Sequence, residues 1–201
     1  MEARVRPAGR GRLLRWASLF YGLLALVALA WNGWAGTPWA FLDRSAEAAG
    51  VRWGRDGALG VATAAAVIVL SHLVTTRTSW GEALARELGR ALGPLSWPGA
   101  LWLAALSGFA EEAFFRGALQ PRVGWLWASL LFGLAHVAPS RALLPWTGFA
   151  LLAGGVLGGL YDVTGNLLAP VVAHAGINAV NLRLLSKRYG RPRTATPDAR
   201  R

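Results

Sequence analysis

Residues 107–120 read SGFAEEAFFRGALQ and set Glu111, Glu112 and Arg116 inside a run otherwise dominated by Phe, Ala, Leu and Gly. A charge at the centre of a membrane helix costs roughly 2.5–3.5 kcal/mol, whereas each Leu or Phe there contributes only about 0.3–0.6 in return. Three unpaired charges would therefore undo a span. Glu112 and Arg116 stand four apart, with the acid toward the N-terminus, the order that favours a pair on one helix face. Glu111 points about 100° round the helix from Glu112 and has no basic residue at helical spacing, so its partner must come from another helix or from water.

The surrounding sequence calls for a bilayer. Of 201 residues 54% are hydrophobic and 15% charged, and the mean hydropathy is +0.38, too apolar for an ordinary soluble domain. The apolar residues come in long runs rather than amphipathic stripes. Candidate spans are 13–34, 57–74, 98–119, 123–137, 143–161 and 166–185. These predict an all-α polytopic membrane bundle of about six helices. The first run follows Arg4, Arg6, Arg10, Arg12 and Arg15. It is about as long as a full span and ends in Trp31 and Trp34, so it reads as a retained helix rather than a cleaved signal. Residues 79–95, with Glu82, Arg86, Glu87 and Arg90, form a further amphipathic helix expected at the membrane interface or as a solvated connector.

The expected organisation is one transmembrane domain, 1–186, with its polar clusters in 98–186, followed by a basic disordered tail, 187–201, holding Lys187, Arg188, Arg191, Arg193, Arg200 and Arg201. Basic flanks stay cytoplasmic, so both termini are expected there, in keeping with an even number of spans. The net charge of +11 reads as a topology signal, with attraction to anionic lipid added to it. No folded basic module accompanies it, so nucleic acid is not an expected partner. The absence of cysteine excludes disulfides and thiolate chemistry.

Two later spans supply polar partners. The fourth carries FGLAH, with His136, and the sixth carries HAGIN, where His174 and Asn178 share one face. Gly117, Ala118, Gly133, Ala135, Ala175 and Gly176 flank these clusters, and small residues let helices approach closely. A polar site inside an apolar bundle is the reading of the whole set. Singly, each His, and Asn178 too, reads equally well as a hydrogen bond between helices, and His72 is read that way. Asp162 and Asn166 read as turn and interface residues. The glycines of GGVLGG, 154–159, read as a close helix contact rather than a phosphate loop, since no strand precedes them.

Together Glu111, Glu112 and Arg116, then Phe132 and His136, then His174 and Asn178 resemble the three ordered motifs of the CPBP intramembrane protease family. That family includes type II CAAX prenyl endopeptidases and bacteriocin-processing or immunity proteins. The resemblance covers about 107–185, departs at no motif position, and fits a bacterial-type member of the inner membrane. It implies an endopeptidase acting on membrane-associated peptides or proteins, in which Glu111 and His136 activate water while His174 and Asn178 polarise the carbonyl or stabilise the oxyanion. Glu112 with Arg116, and Phe132, would brace the site. The physics permits these roles, because a carboxylate in a low-dielectric cavity is more basic and an amide is a neutral oxyanion donor. No cofactor is expected. The alternative is Zn2+ on Glu111, His136 and His174, although no HExxH pair is present. Two other classes stand beside the protease: a non-proteolytic scaffold or immunity protein of the same fold, and a transporter using Glu111 and the histidines as a proton relay, against which no inverted repeat is seen.

Overall fold

The computed structural model describes residues 10–35, 50–138 and 140–190, and all regular structure among them is helical. The expected disordered tail falls largely on 191–201, outside the described residues. Helix α1 is Arg10–Trp34, α2 Trp53–Arg77, α3 Ser79–Leu92 and α4 Trp97–Glu112. Without a break α4 runs into a π-helical segment, Ala113–Leu119, and then α5, Gln120–Val123. The last three are α6 Trp125–Ala135, α7 Leu144–Thr164 and α8 Leu168–Tyr189.

The chain is an integral membrane bundle. Among the described residues four helices are long and apolar enough to cross a bilayer: Gly11–Trp34, Trp53–Arg77, Leu144–Thr164 and Leu168–Tyr189. The rod of α4, π segment and α5 runs from Trp97 to Val123, long enough at about 1.5 Å per residue to match a hydrocarbon core of about 30 Å. The expected fourth span is only the 11 residues of α6, roughly 16 Å at 1.5 Å per residue against a hydrocarbon core of about 30 Å. Gly124, at φ +83°, starts it with a left-handed residue, and the helix stops at His136. The short helix thus ends at a polar side chain within the bundle.

Packing fixes which ends lie together. Leu13, Leu14 and Ala17 of α1, Leu92 of α3 and Leu182 of α8 pack against Leu95, Ala100 and Leu103, so the start of α1, the end of α3, the start of α4 and the end of α8 share one end. Arg12, Arg15, Arg90, Lys187 and Arg188 flank that cluster in sequence. Toward the other end, Asn166 in the α7–α8 turn donates to Asp56 in the first turn of α2 at 2.8 Å. The amphipathic α3 buries Gly81, Ala85 and Gly89 and carries the ion pairs Arg86–Glu82 at 2.8 Å and Arg90–Glu87 at 3.0 Å on its exposed face.

Helix α8 packs against α2, α3, α4 and α7, and small residues allow it. A Cβ on Gly108 of α4 would lie 2.9 Å from the backbone nitrogen of Ala175, and one on Gly60 of α2 would lie 2.7 Å from the Ala169 carbonyl. Gly154 and Gly158 meet α6 in the same way, whereas Gly159 faces open space. The close-contact reading of GGVLGG therefore holds for half of its glycines. Gly108→Val should lose roughly 1–3 kcal/mol by overpacking, seen as a lowered melting temperature in detergent, while Gly159→Ala should leave it unchanged or slightly raised. Equal melting temperatures for Gly108→Val and the parent protein would contradict this packing.

Candidate active site

Glu111 and Glu112 end α4 side by side and meet different surroundings. Glu112 is 0% exposed. Its Oε1 accepts from Arg116 Nη1 at 2.9 Å and from His174 Nδ1 at 2.7 Å. Arg116, 1% exposed, donates its Nη2 to the Gly154 carbonyl at 2.9 Å and lays its guanidinium 4.4 Å from the centre of the Phe132 ring, a cation–π contact. The π segment runs through this contact, and the Gln120 N–H donates to the Phe115 carbonyl five residues back. Such widened turns recur at functional sites.

Phe132 is a hub. Its ring lies 4.6 Å from that of His136, and its carbonyl takes His136 Nδ1 at 2.7 Å. In both histidines, then, Nδ1 faces an oxygen that only accepts, so Nδ1 carries a proton, and in the neutral ring Nε2 is an acceptor. Both Nε2 atoms point at one oxygen, Glu111 Oε2, at 3.6 Å from His136 and 4.0 Å from His174. That oxygen is buried and has no hydrogen-bond partner among the described residues. Three acceptors converging on one point need a shared proton, a donor between them, or a cation. Tyr21 of α1 interacts with Glu111 as well.

The structure therefore brings together Glu111, Glu112, Arg116, Phe132, His136 and His174 from the rod, α6 and α8. Asn178 stands one turn beyond His174 and joins through Ser107, whose Oγ accepts its Nδ2 at 2.9 Å, rather than through Glu111 or either imidazole. Asp162 accepts from Gln120 at 2.6 Å, which with the buried Asn166 fits the turn and interface reading. The expected role of His72 is corrected: it is exposed, its side chain makes no hydrogen bond between helices among the described residues, and it lines a cleft at the edge of α2.

Sequence reasoning missed four participants. Ser107 carried a usable signal, a polar residue one turn before Glu111 on the same face. Tyr21, the Gly154 carbonyl and Trp146, whose ring stands 5.8 Å from that of His136, carried none, because their partners are distant in sequence.

The donors are right in kind for the zinc alternative and wider than its geometry. Zn2+ with bonds of about 2.0–2.2 Å holds tetrahedral ligand atoms about 3.4 Å apart, less than either imidazole–carboxylate separation. Among the described residues no group of three His, Cys, Asp or Glu is arranged to hold a metal ion.

Residues 93–180 match the family of type II CAAX prenyl endopeptidases, Rce1-like, and this segment contains the whole constellation from Ser107 to Asn178. By that match the motif-bearing part of the chain is similar to the Rce1-like family. Over 85 residues the chain is 41% identical to the uncharacterized protein YpbD of Bacillus subtilis (strain 168), across 41% of this chain and 43% of the relative. The similarity thus spans less than half the length of that curated relative. No solved structure matches the chain.

Glu112→Gln should strand Arg116 in an apolar setting and loosen His174. Removing one partner from a buried pair costs about 3–5 kcal/mol, so the yield of folded, detergent-solubilised protein should fall and its melting temperature drop. Yield and melting temperature equal to the parent would contradict the pairing.

Proposed function

We propose that the protein is an intramembrane endopeptidase that hydrolyses peptide bonds of membrane-associated substrates by activating water at Glu111. The observation that carries this reading is the meeting of Glu111 Oε2 with two imidazole Nε2 atoms, each ring oriented by its Nδ1 bond. A water molecule there donates both its hydrogens and keeps a lone pair for attack. Glu111 takes one proton as the oxygen adds to the carbonyl carbon, and passes it to the departing amine nitrogen as the C–N bond breaks. His136 steadies the carboxylate through both protonation states. Asn178 serves the oxyanion, which an amide donor suits without changing its own charge, and His174, whose Nε2 faces Glu111 Oε2, helps hold the attacking water. Glu112, Arg116 and Phe132 hold the imidazoles in place and do not touch the reacting atoms. The match to CAAX prenyl endopeptidases supports peptide hydrolysis at a membrane. No step is routed through a metal.

Glu111→Gln is nearly isosteric and breaks no ion pair, so it should insert and fold as the parent does. General base catalysis contributes about 10²–10⁴-fold, and its loss should lower product formation by at least about 100-fold. Mass spectrometry of membrane peptides from cells with the parent protein, with Glu111→Gln at equal abundance, and with neither gives the readout. Parent-level products from Glu111→Gln would end this mechanism, and persistence of function with no peptide difference in any strain would favour the scaffold. Loss of the products when membranes are treated with a strong chelator, with recovery on adding zinc, would keep the protease and overturn the metal-free route.

The proposed setting is a bacterial inner membrane with both termini cytoplasmic, supported by the shared end of α1 and α8 and its arginines. Reporter fusions before Met1 and after Arg201 should both report cytoplasm. An external signal from either would contradict that orientation.

A further inference from the structure

A cleft of about 680 Å³ lies between α2, α3, α7 and α8, within the roughly 300–1,000 Å³ of small-molecule sites. Its interior is apolar, with Leu70, Leu84, Leu88, Phe149, Leu152 and Leu184 among its walls. The polar groups Ser71 and Asn181 in the wall satisfy each other at 3.2 Å, so the chamber suits hydrocarbon. Through Thr75 and Arg188, which line both, it adjoins a second pocket of about 290 Å³ whose walls are polar and include Arg77, Ser79 and Glu82. The acid there is occupied, since Glu82 pairs with Arg86 at 2.8 Å. Arg77 and Arg188 have no carboxylate partner among the described residues, which leaves the vestibule cationic.

An apolar chamber opening into a cationic vestibule matches one kind of molecule: an amphiphile with a hydrocarbon tail and an anionic head. We propose that this cleft binds an anionic phospholipid of the surrounding bilayer, with an acyl chain in the chamber and the phosphate against Arg77 and Arg188. Basic pockets between membrane helices recruit anionic headgroups in this way. The chain's own C-terminal extension starts nearby, but Arg191, Arg193, Arg200 and Arg201 give it the charge of the vestibule rather than its complement. The cleft is distinct from the proposed cleavage site, because none of Glu111, His136, His174 or Asn178 lines it. Trp146 alone is shared, lining the cleft and facing His136. The inference stands whether or not the protein is a protease.

The test is lipid retention by the purified full chain in neutral detergent. The protein is exposed to equal amounts of phosphatidylglycerol and phosphatidylcholine with the same chains and measured by native mass spectrometry, with melting temperature in parallel. One phosphatidylglycerol per chain should be retained, at least about tenfold over phosphatidylcholine, following the affinity scale of charge-paired recognition. Combined Arg77→Gln and Arg188→Gln should bring the two lipids to parity. Gly148→Leu fills the chamber from α7, where an added Cβ meets nothing within 4 Å, so it should fold as the parent does and retain neither lipid. Glycerol 3-phosphate should leave the melting temperature unchanged. Equal retention of both lipids by the parent, or retention unaltered in both variants, would overturn the proposal. So would stabilisation by glycerol 3-phosphate equal to that by lipid, which would assign the vestibule to a soluble phosphate. A lipid-free dimer abolished by Gly148→Leu would give the cleft to a second copy and overturn it too.

Discussion

A carboxylate and a guanidinium, Glu112 and Arg116, face each other at 2.9 Å with 0% and 1% of their side chains exposed. Neither charge is tolerable alone in an apolar bundle, and even as a pair they leave hydrogen-bonding capacity that must be met inside. Meeting it assembles the structure around them. Arg116 takes the Gly154 carbonyl from α7 and the Phe132 face from α6, and Glu112 takes His174 from α8. Satisfying one ion pair draws the rod, α6, α7 and α8 to a single point. The small residues at Gly108, Gly133 and Gly154 are what allow the backbones to come that close.

The same constraint separates two neighbouring glutamates. Glu112 is committed to Arg116 and His174, so its position is tied to the fold. Glu111, rotated about 100° along the helix, meets the two imidazole Nε2 atoms and Tyr21, and its Oε2 has no hydrogen-bond partner among the described residues. A carboxylate held by the scaffold yet open at one oxygen is what a general base requires. The imidazole orientations come from elsewhere, from the Phe132 carbonyl and from Glu112, so the groups that set the site are not those that would carry the chemistry.

Local spacing made much of this readable. The interval between Glu112 and Arg116 and that between His174 and Asn178 are one helical turn, and helix geometry alone places each pair on a face. The long apolar runs likewise marked α1, α2, α7 and α8, whose observed bounds lie within a few residues of those expected. What was not legible depends on partners distant along the chain. The π turn at Ala113–Leu119 has no residue signature, since Arg116 reaches across to α7 within it. The shortness of α6 was visible only as a short apolar run, and its end at His136 follows from the Phe132 and Thr147 contacts. Asn178 was expected beside the imidazoles, whereas its amide is bonded to Ser107, and His72, read as a link between helices, lines a cleft instead.

The dependence of the fold on one buried pair is tested most directly by a double-mutant cycle on Glu112→Leu and Arg116→Met, read from reversible unfolding of the detergent-solubilised protein. Each single change leaves the other charge buried and unpaired, while the double change removes both. The account predicts that the double variant loses less stability than the sum of the singles, with a coupling of about 2 kcal/mol or more. Single losses that simply add, within about 0.5 kcal/mol, would show that the two side chains act independently and would contradict it.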